Sequence, residues 1–139
     1  MTLIEVLVTL VSASVGLLGI AALQLVSLKT NQEALIRVHA STLAGSILER
    51  VRANRHGLDA GQYDDIAFNE VGEPGSRAHI DLTTWQHEID AQLPGGVVNA
   101  AGSIRRLPSS NIVIVTLRWG ERSTDQAPTY RTITLRSEI

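Results

Sequence analysis

The sequence predicts an α+β protein, with one long N-terminal helix whose second half carries a small antiparallel sheet of three or four strands. Three observations lead there. Val6 to Leu28 is a run of 23 residues without Asp, Glu, Lys, Arg or His. Beyond it, apolar residues recur with a period near 3.6, the spacing of one helix face. Towards the C-terminus, two segments alternate apolar and polar residues with the period of half-buried strands.

As a helix, the uncharged run measures roughly 35 Å, enough for a hydrocarbon core of ~30 Å with some tilt. It is too long for the apolar region of an ordinary signal peptide and has no positive residues before it, so a retained span is expected. Glu5 stands at its lip. Thr2-Leu3-Ile4-Glu5 has the T-x-x-E pattern of a capping box, in which the N3 carboxylate accepts from the N-cap N–H. A carboxylate beside an apolar helix is also costly in lipid, which favours a cation brought by a neighbouring helix. The residues alone leave both readings of Glu5 open.

Past Leu28 the helix continues with a different surface. Ile36, Ala40, Leu43, Ile47 and Val51 are spaced four, three, four and four, with Ala44 and Leu48 beside them. Lys29, Glu33, Arg37, Glu49, Arg50 and Arg52 occupy the other faces. No proline precedes Pro74, and Gly57 is the expected C-terminal stop. One helix from about Thr2 to about Arg55 follows, roughly 80 Å long. Residues 1–28 form the membrane-spanning segment, and residues 29–139 form the head.

From Gly57 to about Arg77 the glycines and Pro74 predict a loop, with Tyr63, Ile66, Phe68 and Val71 as packing points. Its acids, Asp59, Asp64, Asp65 and Glu70, have no EF-hand spacing and are expected to be solvated. Leu82, Trp85, Ile89 and Leu93 then give a short amphipathic helix, with Asp81 as the expected N-cap and Pro94-Gly95-Gly96 as its stop. Val113, Val115, Leu117 and Trp119 alternate with Ile112, Ile114, Thr116 and Arg118 over Asn111–Trp119. Ile133 and Leu135 do so over Thr129–Arg136, and Ser103–Leu107 is a weaker strand ending at Pro108. The head core is therefore expected from Ile36, Leu43, Ile47, Leu48, Val51, Trp85, Val113, Val115, Leu117, Ile133 and Leu135.

Composition argues against several functions. Cysteine is absent, which removes thiol chemistry and cysteine zinc sites, and the formal charge of −2 gives no basic field for nucleic acid. His39, His56, His79 and His87 form no ligand pattern. His87-Glu88 opens like a zincin motif, but position 91 is Ala91. No nucleophile elbow, phosphate loop or dinucleotide fingerprint occurs. No enzyme, metal or cofactor is expected. Arg50, Arg52, Arg55, Arg105 and Arg106 are expected to be surface charges, with Arg50 or Arg52 pairing with acids of a neighbouring subunit.

Thr2-Leu3-Ile4-Glu5-Val6-Leu7-Val8 resembles the N-terminal segment of type IV pilins and type II secretion pseudopilins. Ser46 to Arg55, and the Trp85 helix running into Leu93-Pro94-Gly95-Gly96, resemble the pilus modification (PilV-like) class of minor pilins. The resemblance implies a pilin-like fold, with the apolar half of the helix protruding from the head. It implies that Glu5 pairs with the amino terminus of a neighbouring subunit. Position 1 would be exposed by prepilin peptidase and methylated; here it is Met1 where the family usually has Phe. Leu3, Ile4, Val6, Leu7, Val8, Leu10, Val11, Leu17, Leu18, Ile20, Leu23 and Leu25 would face lipid and then the filament core. Many pilins carry a helix-breaking Pro where this chain has Ala22, so Ala13, Gly16 and Gly19 are read as allowing close helix approach. The implied setting is the bacterial inner membrane with the head in the periplasm, and then the assembled pilus, with twitching motility as the readout. The implied partners are other minor pilins and the major pilin, in a complex that primes assembly; no small-molecule substrate is implied. The alternatives are a minor pseudopilin of a type II secretion system and a single-pass binding or signalling module that never polymerises.

Overall fold

The computed structural model describes residues 2–95, 100–107, 110–121 and 129–139. Met1, Gly96, Pro108 and most of the Gly120–Pro128 link, which carried expectations above, lie outside these residues. Helix α1 runs Leu3–Ala53, α2 Arg55–Asp59 and α3 Arg77–Gln92; strands β1 (Ala101–Arg106), β2 (Ile112–Glu121) and β3 (Thr129–Glu138) follow. The chain divides into two compact units, residues 1–35 and 36–139. The observed layout is α+β: a long N-terminal helix and a three-stranded antiparallel sheet in the order β1-β2-β3.

In the second unit the α1 stripe packs as its spacing predicts. Ala40, Leu43, Ala44, Ile47, Leu48 and Val51 are buried, and Ile36 is half-buried. The inner face of β2 meets the same core through Val113, Val115, Leu117 and Trp119. β3 pairs with β2 in an unbroken register, with Val115 opposite Leu135 and Leu117 opposite Ile133. Ile133 and Leu135 are only half-buried, because β3 is an outer strand of the sheet with no further strand beside it among the described residues.

Helix α3 closes the core with Ala78, Leu82, Trp85, Ile89 and Leu93, all buried. The Trp85 ring lies where β1 passes closest, and Gly102 leaves room for it: a Cβ there would overlap the ring. The indole N–H donates to the Leu43 carbonyl of α1 at 2.9 Å. One aromatic side chain thus joins α3, β1 and α1.

Three expectations are corrected. α1 ends at Ala53 and not at a Gly57 stop. Asn54 leaves helical geometry and its Oδ1 accepts from the Gly57 N–H at 3.2 Å, so Gly57 becomes the buried first turn of α2. Asn competes with helix continuation through such local bonds. α3 begins a turn earlier than expected, capped by Ser76, whose Oγ accepts from the His79 N–H at 3.0 Å. Asp81 is therefore no N-cap but a buried residue of the second turn. The Gly57–Arg77 stretch is also not wholly loop: it holds most of α2, and Ile66 bridges Ile104 at the outer edge of β1. Tyr63 and Ile66 are buried there, while Phe68 and Val71 are half-buried.

Candidate assembly surface and the head that carries it

Residues 2–32 are exposed along the whole helical surface, including every apolar side chain named above from Leu3 to Leu25. Leu3 is 91% and Leu23 72% exposed. Leu35 and Val38 extend the exposed apolar row past the first charges. The helix holds a segment long and apolar enough to cross a membrane, with none of it buried.

Thr9 and Ser14 inside the run, and Thr30 just past it, bond back to their own helix. Thr9 Oγ1 donates to the Val6 carbonyl at 2.8 Å, Ser14 Oγ to Leu10 at 2.7 Å and Thr30 Oγ1 to Val26 at 3.0 Å. Hydroxyls bonded back to their own helix need neither water nor a partner, which suits them to lipid or to a helix bundle. Gly16 and Gly19 have no other atom near the position of a Cβ, so the surface there is open to close approach.

Glu5 sits in the first turn. Its Oε2 accepts from the Thr2 N–H at 3.4 Å, the returning half of a capping box, and the Thr2 carbonyl accepts from the Glu5 N–H at 3.1 Å. Only this half of the capping box is present, since the Glu5 N–H goes to the Thr2 carbonyl and not to its hydroxyl. A carboxylate that accepts one long bond keeps capacity for a second, cationic donor.

Several charged residues of the head pair within the chain. Arg50 pairs with Glu88 of α3 at 2.5 Å, tying it to α1, and Arg52 pairs with Glu49 while donating to Ser137 of β3 at 2.6 Å. Arg106 donates to the carbonyls of Leu58 and Ser110, stapling β1 to α2. His79 Nδ1 lies 3.0 Å from the Val71 carbonyl.

Sequence reasoning missed one buried network. Tyr63 Oη donates to Asp81 Oδ2 at 2.7 Å and accepts from Asn54 Nδ2 at 2.9 Å, while Arg77 Nε reaches Asp81 Oδ1 at 3.1 Å. Burial, with help from Asp81, pushes the Tyr63 phenol up to about 12 against the opposing Asn54 bond. The sequence held a signal for one member only: Ala78 continues the Leu82, Trp85, Ile89 stripe backwards, which places Asp81 inside the helix. A second missed group is Arg118, whose guanidinium lies 4.1 Å from the Phe68 ring centre and 5.3 Å from that of Tyr130.

Compared with protein families, with curated proteins and with solved structures, the chain matches none.

Proposed function

We propose that this chain is a minor pilin of the type IV pilus, with no catalytic activity of its own. It is held in the inner membrane by residues 1–28 with its head in the periplasm, and it helps to prime pilus assembly through a complex with other minor pilins. The reading rests on one observation: a fully exposed apolar helix with a single acid at its lip. Such a helix is equally at home in lipid tails and against the apolar flanks of its neighbours. Transfer between the two costs little unless a charge is left unpaired. Glu5 then sets register, because an incoming helix docks favourably only where it brings a cation, most simply a free α-amino group.

The test is Glu5→Ala in the native bacterium. The variant head folds, the protein stays in the membrane fraction, and piliation falls. Unchanged piliation contradicts the proposal. A deletion strain separates the pilus from the secretion reading: twitching is lost and exoprotein release is retained.

A further inference from the structure

The two edges of the sheet differ. The Ile139 N–H donates to the Asn111 carbonyl, and the β2–β3 register is unbroken from there. By the alternation of antiparallel ladders, odd-numbered residues of β3 therefore bond to β2, and even-numbered ones turn their N–H and C=O outward. On β1 two of the corresponding outward N–H groups have partners: that of Ile104 donates to the Ile66 carbonyl and that of Gly102 reaches Gln86 Oε1. On β3, Arg52 takes the Glu138 carbonyl at one end. Tyr130, Thr132, Thr134 and Arg136 have no such backbone partner among the described residues.

Exposed edges are normally blunted by proline, bulges, short length or inward charges. β3 is ten residues long, lacks proline and bulge, and carries a single charge on its inner register, Arg131 at one end. Beside that end is an open groove of about 370 Å³ lined by Arg37, Trp119, Arg131, Thr132 and Ile133. Arg37 has no ion-pair partner among the described residues.

We propose that the β3 edge is a docking site for an extended segment of a different protein, which adds as a fourth strand. Its alternate apolar side chains extend the half-covered row of Ile133 and Leu135, and an acidic residue near its end meets Arg37. A second copy fits poorly. Pairing β3 with β3 by a two-fold axis would set the two Ile36–Ala53 helical segments antiparallel, whereas subunits drawn from one membrane present theirs in one direction. That choice of occupant rests on the assembly reading. Peptide binding is measured without assembly, so its failure is distinct from unchanged piliation in Glu5→Ala.

The probe is a blocked nine-residue peptide of alternating valine and threonine with one terminal glutamate, titrated into the full chain in detergent by fluorescence anisotropy. Saturable binding is expected, weakened about tenfold by Thr134→Pro, which removes an outward N–H and leaves the β2 ladder intact. Arg37→Glu, on an exposed helix position, should weaken the glutamate peptide and favour one ending in lysine. The proposal is overturned by absence of saturable binding. It is also overturned by binding that neither variant changes, or by wild-type self-association that Thr134→Pro abolishes.

Discussion

The Trp85 indole N–H meets the Leu43 carbonyl at 2.9 Å, both groups buried, and fixes α3 against α1. Because that carbonyl belongs to a helix that also needs it for its own ladder, the bond adds a directional tie to a large apolar contact. Trp85→Phe should cost about 1–3 kcal/mol, and Trp85→Ala about 3–5 kcal/mol. Urea unfolding of the detergent-solubilised chain, followed by far-UV circular dichroism, checks both.

Gly102 is the counterpart of that ring. Gly102→Ala is expected to destabilise the head by about 1–3 kcal/mol, since the ring must move to admit a methyl group. Combining it with Trp85→Leu should cost less than the sum of the single changes, because the smaller side chain frees the space. A double-mutant cycle measures this, and strict additivity would refute the contact.

The Tyr63–Asp81 pair has an alkaline signature. The Tyr63 phenol is held at about 12 in the folded head, above its value of 10.0 when unfolded. The unfolded chain therefore loses its proton first as pH rises. The contribution of this group is complete below pH 10, declines as pH passes from 10 towards 12, and is gone above that. Tyr63→Phe should flatten this difference between pH 9 and pH 12 while costing about 1–2 kcal/mol at neutral pH through the lost bond to Asp81. Denaturant midpoints of the two proteins across this range test it.

Arg50 and Glu88 link α1 to α3 at a partly exposed site, with side chains 27% and 30% accessible. Solvent screening limits such a pair, so Glu88→Gln should cost no more than about 1 kcal/mol, and less in high salt. Salt-dependent unfolding of wild type and variant gives the comparison.

The helices and strands were legible because their apolar residues repeat at the period of the element they form. The α1 stripe from Ile36 to Val51 and the alternation Val113–Trp119 are dictated by burial on one face. Helix ends were less legible, since they depend on which polar side chain claims an orphan N–H. Asn54 and Ser76 took that role where Gly57 and Asp81 were expected, because all four residue types suit a boundary and only the local backbone decides. The Tyr63–Asp81–Arg77 network joins residues 18 and 4 apart, and periodicity carries no information about such a meeting. Glu5 is the reverse case. Its bond to Thr2 is local and readable, whereas the role proposed for it lies in a second molecule.

That role can be measured directly with a photocrosslinking side chain placed at Leu10, Leu17 or Leu25 of the native, membrane-embedded protein. The account predicts crosslinks to subunits that carry their own N-terminal apolar helix, identified by mass spectrometry, and their loss when Glu5 becomes Gln. Crosslinks to lipid alone at all three positions, unchanged by Glu5→Gln, would contradict it.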